Sequence, residues 1–459
     1  MKEPNENINN NVGHDVMYER KIYRRKRRIR NQILVYITSV ILLAGIVAGA
    51  NFGLQTISQI LKDYQAANAQ AHEPVLEVED VTDPEPEVIE YIAPPEEEAV
   101  FIEEEPPVVV TALDILVDDY IAAMPLEDKI AQLFILTPEA LTGAASVTRA
   151  GNTTRDKLNE YPVGGLIYFA GNIQSASQVR EMLSNTSEMS KYPLFLAIDE
   201  EGGSVTRLAG RNIAENVGPM ENIGATGDPQ NAYAAGNIIG TYMSDFGFNL
   251  NFAPVADVFT DSENNPMGSR TFSDDPAIVA EMVRAFVGGM KDTGIYSTLK
   301  HFPGLGFTTV DTHVGMAVTE RTLDEMRDFE FMPFAAGIDA GVEFVMLGHV
   351  SAPNVTGDNT PASISRKIIT EILRDELGFK GIIVTDAMNM GAIIEYYTAA
   401  EAAVKALQAG ADMILMPESF EEAYIGVLEA IENGRINEER INESLRRIFR
   451  VKLSGLVEE

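Results

Sequence analysis

Lys300 to His313, KHFPGLGFTTVDTH, packs two of the chain's five histidines, two lysine- or carboxylate-bearing positions and three turn-forming residues into one short stretch. Lys300 and His301 close an apolar run, Tyr296–Leu299. Pro303, Gly304 and Gly306 then forbid continued strand or helix, which places Asp311 and His313 on a loop. A loop dense in Lys, His, Asp and Gly straight after a buried strand is where α/β enzymes hold their chemistry. Other runs end the same way: Asp199-Glu200-Glu201 after one, Asp257 after the next, Gly348-His349 and Thr385-Asp386 after two more. One such Asp is commonly a helix cap. Five polar strand ends together point to a shared site.

The chemistry open to such a ring is narrow. Converging Asp, Lys, Arg and His, with no phosphate loop, suits a polyhydroxylated ligand. Glycoside hydrolysis needs a nucleophilic carboxylate and a proton donor on either side of one bond. Asp386, on a strand end, is rigidly placed for the first task. A donor titrating near neutrality suits His313, and Asp311, two residues earlier, can orient its imidazole. Neither H-x-H nor H-E-x-x-H spacing occurs, so no metal site is expected, and no cofactor. Without cysteine there is no disulfide, zinc-thiolate or thiol chemistry. A net charge of -34 argues against nucleic acid as partner.

The elements that must position these residues alternate. Eight short apolar runs, Leu133–Leu136, Gly165–Phe169, Leu194–Ile198, Leu250–Phe252, Tyr296–Leu299, Phe344–Leu347, Gly381–Val384 and Asp412–Met416, are separated by amphipathic stretches such as Ala277–Met290, Leu323–Ala340 and Lys367–Leu377. This predicts an α/β fold, a (β/α)8 TIM-type barrel over residues 111–459, with an open doubly wound sheet as runner-up. Three segments come before it. Residues 1–30 end in eight basic residues between Arg20 and Arg30. Residues 31–55 hold an apolar run long enough to cross a bilayer, which predicts a transmembrane signal-anchor helix with the N-terminus cytoplasmic and the remainder extracellular. Cleavage after a small-residue site would instead give a secreted protein. Residues 56–110 form a linker whose core, Glu73 to Pro107, has fourteen acidic residues, seven prolines and no Lys or Arg, the composition of a disordered, extended stalk.

The fourteen residues from Lys300 read K-H-F-P-G-x-G-x4-D-x-H, which resembles the signature of the β-N-acetylglucosaminidases of glycoside hydrolase family 3, the peptidoglycan-recycling type. Asp199–Arg207 is similar to that family's D-x-E-G-G-x-V-x-R segment, Asn251–Asp257 to N-x-A-P-V-x-D, Gly268–Phe272 to its R-[ST]-F loop, and Val384–Met390 to its nucleophile strand. The matches keep the family's order. The resemblance implies Asp386 as nucleophile, His313 with Asp311 as acid/base, and Asp199, Arg207, Arg270, Lys300, His301 and Met388 as sugar-binding residues. It implies a monomer acting on peptidoglycan fragments or chitooligosaccharides. A β-glucosidase or β-xylosidase of the same family is an alternative, and so is a phosphorylase, because a histidine acid does not repel an anionic acceptor. A non-catalytic glycan-binding protein is a further one.

Overall fold

A computed structural model describes residues 110–260, 267–307 and 315–456. All of them lie in one unit, Glu104–Glu459. The proposed cytoplasmic segment, the anchor at 31–55, the linker up to residue 109, and Asp311 and His313 lie outside the described residues. Among the described residues, no helix is long and apolar enough to cross a membrane.

Each of the eight apolar runs contains a strand: β1 Phe134–Leu136, β2 Gly165–Tyr168, β3 Phe195–Ile198, β4 Leu250–Asn251, β5 Thr298–Phe302, β7 Phe344–Leu347, β9 Ile382–Thr385 and β10 Ile414–Leu415. Two further two-residue strands, β6 Ala317–Val318 and β8 Val350–Ser351, pair with each other and had no signal in the sequence. All pairings between strands are parallel. One sheet has the order β10-β1-β2-β3-β4, another β5-β7-β9. Parallel bridges link their remaining edges, Leu250 to Tyr296 on one side and Val384 to Met413 on the other. The result is a curled parallel sheet with helices packed around it. The strands are buried throughout, as continuous apolar runs in a helix-covered parallel sheet must be.

The helices follow local capping chemistry. Asp275 accepts from the Ala277 N–H at 2.8 Å, and Pro276 opens the helix Pro276–Lys291. Thr398 and Glu401 cap Ala399–Ala409 reciprocally. The stretch expected as one helix over Leu323–Ala340 is two, Leu323–Asp328 and Phe331–Asp339, broken at Phe329 and Glu330. Both of those residues face inward, toward the turn that follows β5.

Polar groups also gather at the start of β10, opposite the strand ends described above. Asp412 is fully buried and accepts from Ser444 Oγ at 2.7 Å, Arg447 Nη1 at 2.9 Å and Ile383 N at 2.9 Å, with Arg374 paired to its other oxygen. Ser444 and Arg447 belong to the last long helix, Glu438–Leu453. That helix also sends Lys452 Nζ to Gln132 Oε1 and Gly164 O, both at 2.8 Å, and accepts at Val451 O from Tyr296 Oη at 2.9 Å. It therefore ties together segments at the beginnings of β1, β2, β5 and β10.

Candidate active site

β5 extends further than its apolar run. It continues through Lys300 and His301 to Phe302, with a register shift against β7 between Leu299 and Phe302. Lys300 and His301 are thus part of the strand itself. The Lys300–His301, Phe302–Pro303 and Ala253–Pro254 peptides are cis.

Lys300 reaches across to the end of β3. Its Nζ lies 2.9 Å from Asp199 Oδ1 and 2.6 Å from Glu201 Oε1. Arg270 grips Glu201 from the other side with two parallel bonds, Nε to Oε2 at 2.8 Å and Nη2 to Oε1 at 2.7 Å, the fork geometry that suits guanidinium to carboxylate. Arg207 Nη2 stands 3.2 Å from Asp199 Oδ2. Arg207, Asp199, Lys300, Glu201 and Arg270 therefore form one chain of alternating charge. Burial alone would raise the Glu201 carboxyl, but Lys300 and Arg270 outweigh it and hold it at about 2. Burial likewise opposes the Lys300 charge, and Asp199 and Glu201 reverse that, so its ammonium is held above the usual lysine range.

Glu200, between the two, plays a different part. It is wholly buried and accepts from the backbone N–H groups of Arg207 at 2.6 Å, Leu208 at 2.9 Å and Ala209 at 3.0 Å, and from Tyr242 Oη at 3.1 Å. It folds the glycine-rich loop back so that Arg207 meets Asp199. The motif D-x-E therefore splits its carboxylates: residues 199 and 201 face the cations, residue 200 shapes the loop.

His301 is set by Asp257. The ring Nδ1 lies 2.7 Å from Asp257 Oδ2, and the same carboxylate accepts from Leu305 N at 2.7 Å and His301 N at 3.2 Å. A carboxylate can only accept here, so Nδ1 carries the proton and Nε2 is left as the ring's outward nitrogen. His349, at the end of β7, is buried, with Nδ1 2.8 Å from Ser363 Oγ and Nε2 3.0 Å from Ala387 O. The carbonyl requires Nε2 to donate. His349 thereby holds the backbone immediately after Asp386.

Asp386 follows β9. Its Oδ1 accepts from Ala387 N at 2.7 Å. Burial would raise its carboxyl, but the His301 and His349 rings, the Ala387 N–H and Lys300 outweigh that and hold it below the ordinary carboxylate range. It is therefore ionised at neutral pH, as a nucleophile must be. Met388 is 2% exposed, packs within the core and donates its backbone N–H to Leu415 O at 2.9 Å. Among the described residues, no group of three or more His, Asp or Glu could hold a metal.

The structure thus brings Asp199, Arg207, Arg270 and Lys300 into one connected network through Glu201, and sets His301, paired with Asp257, next to Lys300 on β5, with Asp386 within electrostatic reach of both. Sequence reasoning did not single out Glu201, the residue that joins Lys300 to Arg270. Its signal was present: on extended backbone, positions 199 and 201 point to the same side.

Fixed charges at the carboxyl ends of parallel strands, with an ionised carboxylate at one of them, are what glycoside chemistry requires. The Glycosyl hydrolase family 3 N terminal domain matches residues 125–451, and the chain belongs to that family. Among its relatives, a beta-hexosaminidase of Stenotrophomonas maltophilia is 36% identical over 291 residues, covering 62% of this chain and 84% of the relative. Beta-hexosaminidase A of Pseudoalteromonas piscicida is 33% identical over 336 residues, 67% of this chain and 56% of the relative. The solved structure of a glycoside hydrolase family 3 beta-N-acetylglucosaminidase from a Paenibacillus species superposes with a TM-score of 0.67 at 35% identity, over 73% of this chain and 64% of that one. The chain thus spans a little over half of one of these relatives and under two thirds of the solved structure.

Proposed function

We propose that this protein is a retaining exo-β-N-acetylglucosaminidase that removes terminal N-acetylglucosamine from peptidoglycan fragments or chitooligosaccharides. The observation that carries the reading is the ionised Asp386 carboxylate at the end of β9, within electrostatic reach of Lys300 and His301 on β5. The curled sheet is read as a (β/α)8 barrel, whose carboxyl-end loops carry chemistry. The names borne by the relatives support a hexosaminide substrate.

In this reading Asp386 attacks the anomeric carbon while His313, oriented by Asp311, protonates the departing glycosidic oxygen. The covalent glycosyl-enzyme is then opened by water, which gives its proton to His313 and its oxygen to the sugar. Lys300, Asp199, Arg207, Arg270 and His301 hold the hydroxyls and the N-acetyl group. Met388, two residues after Asp386, lines the pocket.

The test compares two p-nitrophenyl substrates. Turnover of the N-acetyl-β-glucosaminide should exceed that of the β-glucoside by at least about a hundredfold in kcat/KM, as expected where buried polar groups are matched to a substrate amide. The reverse order would transfer the protein to the glucosidase alternative. Running the reaction on purified wall fragments with phosphate present should still yield free N-acetylglucosamine, and a sugar 1-phosphate product would mean phosphorolysis.

We also assign residues 31–55 as a membrane anchor with the catalytic unit outside, a reading supported by the basic block before an apolar run. Cell fractionation should then place the activity in the membrane pellet, accessible to protease added outside. Activity confined to the cytosol would end that assignment.

A further inference from the structure

The turn Pro303–Phe307 leads out of β5 toward Asp311 and His313, and it is held on two sides. On one side stands the segment after β4. Asp257 accepts from Leu305 N at 2.7 Å, and Thr260 Oγ1 donates to Gly306 O at 2.5 Å. The Val258 carbonyl lies so close to Gly306 that a Cβ there would sit 1.6 Å from its oxygen.

The other side is built by residues the mechanism above does not use. The Arg321 guanidinium lies 3.5 Å from the centroid of the Phe307 ring and 4.6 Å from that of Phe329, and the two rings are 5.3 Å apart. Its Nε is 3.1 Å from Glu330 Oε1. Glu330 is 2% exposed, and among the described residues neither of its carboxyl oxygens has a hydrogen bond. Its Cγ fills the place where a Cβ on Gly304 would fall, 2.6 Å away, and Gly304 has φ +124°. The break between the helices Leu323–Asp328 and Phe331–Asp339 is what turns Phe329 and Glu330 inward to this contact. Burial pushes the Glu330 carboxyl up to about 8 against the pull of Arg321, while Asp257 and Glu325 push the same way as burial. A buried carboxyl with one cation within reach and, among the described residues, no hydrogen bond is costly to the fold, which is more often seen where a position is being fixed than where stability alone is served.

Phe307 and Arg321 lie on opposite sides, in sequence, of the segment that carries Asp311 and His313. Their contact therefore closes the chain on itself around that segment. We propose that Arg321, seated on Phe307 and held by Glu330, is a positioning residue that fixes the root of the acid/base segment and so governs proton delivery without touching the sugar. This rests on the reading of His313 as the acid/base.

The experiment uses two aryl N-acetyl-β-glucosaminides with the same sugar, one with a dinitrophenolate leaving group that needs no proton and one with a poor phenolate leaving group that does. Arg321→Lys keeps the charge near Glu330 but loses the planar face on Phe307. Phe307→Leu removes the ring that Arg321 covers. Each should lose about tenfold or more in kcat/KM on the poor leaving group, a fraction of what general acid catalysis supplies. Each should change kcat/KM by less than about threefold on the activated one, because kcat/KM ends at formation of the glycosyl-enzyme, whereas kcat also carries the later step in which His313 takes the water's proton. Unchanged rates on both substrates would overturn the proposal. An equal loss on both would overturn it too, since that is what general loosening of the fold produces. Should Arg321→Lys fail to fold by circular dichroism, Phe307→Leu, at a partly exposed ring, decides the outcome. His313→Ala run alongside separates the two claims. If that variant shows no leaving-group dependence, the acid/base assignment fails. If it does and the Arg321 and Phe307 variants do not, the positioning role alone fails.

Discussion

Asp386→Ala should yield a folded protein whose kcat/KM on p-nitrophenyl N-acetyl-β-glucosaminide is lower by about ten-thousandfold or more, in line with removal of a covalent nucleophile. The fold should survive because the side chain's recorded hydrogen bond is to the neighbouring Ala387 N–H, whose loss costs on the order of 1–3 kcal/mol. The geometry makes a further demand. With the carboxylate gone, the Ala387 N–H and the charges that held it ionised remain, so a small external anion such as azide should restore part of the turnover on an activated substrate and leave on the product. Full activity of the alanine variant, measured with its circular dichroism unchanged, would remove Asp386 from the reaction altogether.

The second large effect is expected at Glu201. Glu201→Gln takes the shared anion away from both Lys300 and Arg270 while keeping the size of the side chain. Breaking a buried ion pair from one side costs about 3–5 kcal/mol. The pH dependence gives a second readout. The folded carboxyl is held at about 2, below its ordinary 4.5, by Lys300 and Arg270. Between those values the unfolded chain binds the extra proton, so unfolding free energy rises with pH across that interval. The stabilisation is complete above about 4.5 and is lost as pH falls through about 2, a total on the order of 3 kcal/mol. Urea titrations of the native and Gln proteins between pH 2 and 5 should therefore converge toward the acid end. A constant gap between the two curves would mean that Glu201 is not ionised against these cations. Activity should fall as well, since Lys300 then has Asp199 alone to hold it.

Much of the fold was legible because buried parallel strands leave a plain mark: short runs such as Phe344–Leu347 and Ile382–Thr385, closed off by Gly, Pro or a polar residue, became strands where expected. What was not legible depended on contacts far along the chain. β5 keeps its pairing through Lys300 and His301, since β7 and the Val255 bridge partner them there, and no local pattern of apolar residues announces that. The break at Phe329-Glu330 has a similar origin: the periodicity of Leu323–Ala340 is helical throughout, and tertiary demand for Glu330 behind Gly304 overrides it. At the site, Asp199, Lys300 and His301 were legible as types at strand ends, and Arg207 and Arg270 through the resemblance of their segments. Their pairing was not. The sequence order of carboxylates in Asp199-Glu200-Glu201 does not say which one turns to the loop, and only the backbone N–H groups of Arg207 to Ala209 assign that task to Glu200.

The helix Glu438–Leu453 also sets a schedule. Its contacts to Gln132, Gly164 and Tyr296 span 320, 288 and 155 residues. A ribosome must release nearly the whole unit before Lys452, Arg447 and Ser444 exist to meet the starts of the first and last strands. Until then the strands can pair with their neighbours, but the starts of β1, β2, β5 and β10 lack the contacts that this helix makes to them. The carboxylates and cations that face each other across β3, β5 and β9 are thus brought to their final spacing by the last part of the unit to be made.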